Sequence, residues 1–231
     1  GTSGSDDAIP ADLTSLHPNG WYAIGNLSFT MSFGLGHGRA LDDAPGVVGV
    51  APHEIPPLPD SVLTDRAAGR FDFRRWFPAP GRPVEIEIGS GKGTFLLEQA
   101  PRSPGTNFLG IEWEREFYLY AADRRRFLGE RADVRMLCGN GVDFLRWRCP
   151  DGLVAAIHLY FSDPWPKRRH HKNRVIQHEF LADAWRVLSP GGELRVVTDH
   201  DELWTWCEDH FRAWTSPTVA AERVPRPVRS M

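Results

Sequence analysis

Residues 161–174 read FSDPWPKRRHHKNR, and five of these fourteen side chains are Lys or Arg. One carboxylate, Asp163, and one indole, Trp165, stand at the mouth of this run, each beside a proline. Lys167, Arg168, Arg169, Lys172 and Arg174 can neutralise phosphates, a contact that carries charge but no base information. Pro164 biases Asp163 toward extended backbone and so keeps its carboxylate out of a helix. Trp165 offers a flat face on which a base could stack, or an apolar body for a core. His170 and His171 are adjacent, so they point different ways and make a poor metal pair; no metal is expected.

A second stretch, Glu87-Ile88-Gly89-Ser90-Gly91-Lys92-Gly93, follows the β-branched run VEIEI. Glycines at alternate positions let the chain bend sharply and let a ligand approach where a Cβ would clash. A Walker A loop needs Gly where Ile86 stands, and the dinucleotide fingerprint needs Gly where Thr94 stands, so neither fits. An acid two residues before Gly89 would repel a pyrophosphate but would pair with an ammonium group. S-adenosylmethionine (AdoMet) has an ammonium and no phosphates, which makes it the expected cofactor, with Gly89 and Gly91 in its cradle. Glu112 lies about twenty residues further on, where an acid can accept hydrogen bonds from both ribose hydroxyls. Asn140, in CGNGVDF, could read an adenine edge or simply occupy a turn beside glycine.

These residues have to be delivered by a scaffold, and its outline is visible. Strand-like runs VEIEI (84–88), NFLGIEW (107–113), VRML (134–137), LVAAIHLYF (153–161) and LRVVT (194–198) alternate with helical runs. The helical runs are TFLLEQA, EREFYLYAADRRRFLGE, VIQHEFLADAWRVL (175–188, stopped by SPGGE) and DELWTWCEDHFRAW. That order predicts an α/β fold: a doubly wound, mostly parallel sheet with helices on both faces. Ligands of such sheets sit at the carboxyl ends of the strands, near the switch point. Residues 1–81 are rich in Gly and Pro, so they are read as a loosely structured extension draped on the domain of residues 82–231. Residues 1–5, GTSGS, are expected to be an expression remnant outside the fold.

The 231 residues carry a formal net charge of −3, so any nucleic-acid affinity must come from a local patch. Three scattered cysteines, with no CxxC pair, suit a reducing cytosol, so a cytoplasmic protein without disulfides is expected. No apolar run is long enough for a membrane helix. A second basic cluster, Arg124-Arg125-Arg126, is read as solvated surface.

In order and spacing, EIGSGKG, GIE, IHLYFSDPWPKRRHHKNR and LSPGGELRVVTD resemble the tRNA (guanine-N7)-methyltransferases of the bacterial type. The resemblance covers roughly residues 83–213 and implies a Rossmann-like class I methyltransferase fold. It also implies AdoMet-dependent methylation of the variable-loop guanine of tRNA. By motif, Glu87, Glu112 and Asn140 fall on AdoMet-contacting positions, Asp163 on the catalytic one, and Lys167 and Asp199 on substrate-contacting ones. Asp199 could equally cap the helix that follows it. One departure stands out: the family's C-terminal Thr-x-x-Glu motif is missing, since VPRPVRSM ends the chain with Arg229 where the Thr would fall. Either the chain is cut short there or its C-terminus differs. A non-catalytic RNA-binding relative and a class I methyltransferase for another nucleobase or small molecule stay open as alternatives. Monomer and homodimer are both compatible with the sequence.

Overall fold

In the computed structural model, residues 21–23, 49–125 and 133–216 are described, the first of these as backbone only. Six parallel strands form one sheet: β1 (Trp21–Ala23), β2 (Val84–Ile88), β3 (Asn107–Glu112), β4 (Val134–Cys138), β5 (Val154–Tyr160) and β6 (Leu188–Val197), in the order β1-β6-β5-β2-β3-β4. The helices are α1 (Thr94–Arg102), α2 (Arg115–Arg125), α3 (Gly141–Trp147), α4 (His178–Val187) and α5 (Asp201–Thr215).

Leu96 and Ala100 of α1 and Ala121 of α2 pack on one sheet face against Phe108, Val134 and Met136. The larger core lies on the opposite face. There Leu145 of α3, Leu181 and Val187 of α4 and Leu203 and Cys207 of α5 meet Ile86, Ile111, Ile157, Leu159 and Val196. Alternation along each strand sends successive side chains to these two covered faces, which is why the strands read as nearly continuous apolar runs.

The chain winds outward from β2 through β3 to β4, then returns to place β5 on the other side of β2. The turn after β2 and the loop after β5 therefore diverge from neighbouring strands, Ile88 pairing with Leu159, and open the switch-point crevice between them.

The five expected strands are present within a residue or two, except β6. That strand begins at Leu188, and Ser189-Pro190-Gly191-Gly192 lies inside it as a bulge opposite β5 rather than before it. Gly191 has φ 77°, and a Cβ on Gly192 would stand 2.9 Å from the Ser189 carbonyl oxygen, so glycines are needed at both places. The helix before it starts at His178 rather than at Val175. Helix α3, seven residues in the GVDF segment, has no counterpart in the sequence reading because its flanking glycines look like a turn.

Residues 49–81 are irregular, as their prolines require, but they are not loosely attached. They form short 3₁₀ turns whose Phe73, Trp76 and Phe77 are buried in the main core. Buried Arg135 of β4 donates to the Trp76 and Gly49 carbonyls at 2.7 and 3.2 Å and to the Glu54 carboxylate at 3.0 Å. Strand β1 pairs with the β6 edge, Trp21 opposite Leu194. Residues 1–20 and 217–231, with the GTSGS and VPRPVRSM stretches, lie outside the described residues, as does Arg126 of the second basic cluster. Arg124 is not simply solvated: it donates to the Lys92 carbonyl at 3.1 Å and the Thr94 hydroxyl at 3.2 Å. No helix among the described residues is long and apolar enough to cross a membrane.

Candidate active site at the switch-point rim

Glu87 is 4% exposed at the end of β2, and its Oε2 has no hydrogen-bond partner among the described residues. Burial lifts its carboxyl well above the ordinary value, and the charge of Glu112 adds to that push. A buried carboxyl with an idle oxygen facing a second acid is a site that a cation would stabilise. The turn that follows holds Gly89 at φ 71° and Gly91 at φ 51°, and a Cβ on either would meet nothing within 4 Å. Space for a ligand is thus left on both glycines. Gly93 differs: besides φ 68°, its Cβ would lie 2.9 Å from that of Ala121, so helix packing also demands it.

Glu112 braces this turn. One carboxylate oxygen accepts from the Gly91 N–H at 2.7 Å and the other from the Glu114 N–H at 2.8 Å. Each oxygen keeps a further lone pair, so a sugar hydroxyl could still be accepted. Asn140 caps α3, its carbonyl oxygen accepting from Val142 N–H at 2.9 Å and Asp143 N–H at 3.2 Å. Asn140 is exposed at the end of the loop after β4. The idle Glu87 oxygen, the open glycines and Glu112 are chemically suited to the ammonium, the close backbone approach and the ribose hydroxyls of AdoMet.

Across the crevice, the loop after β5 carries Asp163 exposed and outside any helix. It is flanked by two non-glycine residues in the left-handed region, Phe161 at φ 51° and Trp165 at φ 43°. Such backbone persists only where surrounding contacts over-determine it, and it clusters at functional sites. Trp165 is half-buried, with His170 edge-on to it at 5.7 Å, so it forms part of the loop's own wall. Asp199 is exposed just after β6, while the cap of α5 is His200, whose Nδ1 accepts from the Leu203 N–H at 3.3 Å. Capping therefore does not account for Asp199, and it stands at the same rim as Asp163.

A family model described as "Putative methyltransferase" matches residues 81–228. The tRNA (guanine-N(7)-)-methyltransferase of Geobacillus thermodenitrificans is 39% identical over 156 residues, covering 68% of this chain and 71% of the relative. This chain belongs to the tRNA (guanine-N7)-methyltransferase family. The enzyme of that name from Corynebacterium diphtheriae is 37% identical over 155 residues, 65% of this chain and 58% of the relative. This chain spans about half to two thirds of the length of most of the curated relatives it matches. Among solved structures, a geranyl diphosphate methyltransferase in complex with GPP and sinefungin aligns at 22% identity and TM-score 0.39, over 50% of this chain and 38% of that one.

Within this methyltransferase frame the basic run divides. Lys167, Arg168, Arg169 and Lys172 are exposed in and before the 3₁₀ helix Arg168–Asn173. Arg174 does not join them. It is buried, its Nε donating to the Pro164 carbonyl at 2.8 Å and a terminal nitrogen to Glu202 at 2.8 Å. Arg174, expected among the phosphate-binding cations, is instead engaged by the Pro164 carbonyl and the exposed Glu202 carboxylate, which turns its guanidinium away from solvent. His170 and His171 do diverge, toward Trp165 and Trp206 respectively.

Two features escaped the sequence reading. Trp113, assigned to the end of a strand, lies beyond β3 and is 71% exposed beside Glu112. A buried chain also runs behind the site: His158 Nε2 lies 2.7 Å from a Glu85 oxygen and Nδ1 lies 2.7 Å from the Tyr160 hydroxyl. Burial pushes His158 below its ordinary pKa against the pull of Glu85, so a neutral ring donates to Glu85 and accepts from Tyr160. Only the E-x-E of VEIEI hinted that this face of the sheet is polar.

Proposed function

We propose that this protein transfers a methyl group from AdoMet to N7 of a guanine in tRNA, in the variable loop. The observation that carries this reading is the adjacency of β2 and β5. One strand delivers the partnerless Glu87 oxygen and the open glycine turn, and its neighbour delivers exposed Asp163 followed by exposed Lys and Arg side chains. The names of the relatives support the substrate.

When bound, AdoMet supplies an electrophilic methyl group on a sulfonium. Guanine N7 already has a lone pair, so no side chain needs to remove a proton before attack. The protein's work is mainly alignment, which can supply about 7–11 kcal/mol. Asp163 is the acceptor for the N1–H and N2–H edge, which grows more acidic as the purine gains positive charge, so the contact strengthens in the transition state. Adenine lacks that donor pair, so the same contact selects guanine. Asp199, at the same rim, orients the base or its ribose. Lys167, Arg169 and Lys172 hold phosphates around it, and Glu112 and Asn140 remain for the ribose and adenine of the donor.

The test is incubation of the protein with methyl-labelled AdoMet and unmodified tRNA, followed by mapping of the modified nucleotide. Label at N7 of a variable-loop guanine is the expected result. Donor binding without any labelled RNA would sink the reading, and label on another nucleobase would move the substrate.

A further inference from the structure

Of the cations between Lys167 and Arg174, Arg174 alone is buried. Its guanidinium lies 5.0 Å from the centroid of the Trp206 ring in α5, and the Trp206 indole N–H donates to the Ile176 carbonyl at 2.7 Å. The Glu202 oxygen that accepts from Arg174 also lies 3.2 Å from His171 Nε2. From the other side, the Gln177 amide donates to the Lys172 and Arg174 carbonyls, both at 2.7 Å. A buried guanidinium held this way is a joint between elements, because removing the Glu202 carboxylate, itself exposed, would leave the buried charge without its ion-pair partner.

What the joint connects matters for the reaction. The Pro164 carbonyl belongs to the peptide that joins Pro164 to left-handed Trp165, one residue after Asp163. Glu202 is in the first turn of α5, three residues after Asp199. The guanidinium therefore ties the loop after β5 to the first turn of α5, just past the loop after β6. We propose that Arg174 is a positioning residue: through Pro164 and Glu202 it holds Asp163 in register with Asp199 and keeps the strained loop in its active shape, and it contacts no phosphate. This assignment rests on the reading of Asp163 as the group that faces the base.

Arg174→Lys keeps the charge and loses the planar fork, which makes it the decisive variant. Its single-turnover methylation rate at saturating tRNA should fall about 30- to 100-fold, the scale of a misplaced reacting group. AdoMet affinity, read by calorimetry, should stay within about twofold, since the donor rim lies on another strand. Amide hydrogen exchange across residues 161–167 should rise about tenfold as the loop loosens. The slope of log tRNA affinity against log salt should not change for Arg174→Lys or Arg174→Gln, whereas Lys172→Gln should lose about one unit. Glu202→Gln should move rate and exchange in the same direction by about fivefold, and the double variant should be no worse than Arg174→Lys alone, because the two act as one unit. Wild-type rate and exchange in Arg174→Lys, or a unit of slope lost in Arg174→Gln, would overturn the proposal. Should Arg174→Lys not fold, unchanged exchange in Glu202→Gln overturns it. If the wild-type protein binds AdoMet yet methylates no tRNA, the proposed function fails while the exchange and slope measurements still decide the role of Arg174.

Discussion

The turn after β2 and the loop after β5 leave neighbouring strands at one rim, yet they hold their shapes by opposite means. The first uses glycine at each left-handed position, so its backbone is unstrained and its surface is left open for a ligand. The second places Phe161 and Trp165 in that same region of conformational space, at a cost of about 1–2 kcal/mol each, and needs outside contacts to stay there. One such contact is Arg174, which donates to the Pro164 carbonyl and is itself held by Glu202 and Trp206. The proposed donor pocket can thus be made by the local chain, whereas the loop proposed to meet RNA is held through Arg174 by a helix from later in the chain.

The contrast can be broken most sharply at Asp163. Asp163→Ala should lower methylation turnover about a hundred- to a thousand-fold while leaving AdoMet affinity nearly unchanged; equal loss of both in paired kinetics and calorimetry would merge the two regions into one site.

Glu87→Gln should do the reverse, weakening AdoMet roughly 30-fold or more by calorimetry. It has a second signature. Because burial raises the folded-state pKa of Glu87 above 4.5, the folded chain keeps a proton that the unfolded chain has released, and donor-free stability falls as pH climbs from that value. Melting temperatures against pH should flatten over that window in Glu87→Gln; an unchanged profile would mean that the carboxyl ionises at no cost.

At the glycine turn, Gly89→Ala should cost about 1–2 kcal/mol in denaturant melts from backbone strain alone. Gly93→Ala should cost more, since its Cβ also meets Ala121. The opposite order would show that Ala121 gives way and that backbone strain, not packing, sets the cost along the turn. The smallest effect belongs to the exposed cations. Lys167→Gln or Arg169→Gln should weaken tRNA binding a few-fold and lower the salt slope by about one unit, detectable by titration at several salt concentrations.

The five main strands and the order of elements were legible because burial on both faces writes itself as apolar runs, and the glycine turn because only glycine suits its dihedrals. Helix α3 was hidden in a glycine-flanked stretch, and the start of β6 was hidden by a bulge whose Ser-Pro-Gly-Gly reads locally as a stop. Strand β1 is three residues long and has no local signal, since its pairing with β6 is entirely long-range. Among the candidate site residues, Glu87 and Asp163 could be picked out by type and position. Arg174 could not be told from its basic neighbours, because sequence records that a side chain is cationic and not which way it turns.

The sequence by itself determined the alternation of elements, the φ > 0 turn after β2 and the presence of an acid and a basic run after β5, since these depend on neighbouring residues only. The tertiary structure decided the rest. It set β5 beside β2, so that the strands carrying Glu87 and leading to Asp163 are neighbours, and it turned one arginine of the run inward onto Glu202, in a helix 28 residues further on. Those outcomes depend on strand order and on burial, which are properties of the packed chain and not of any stretch of it.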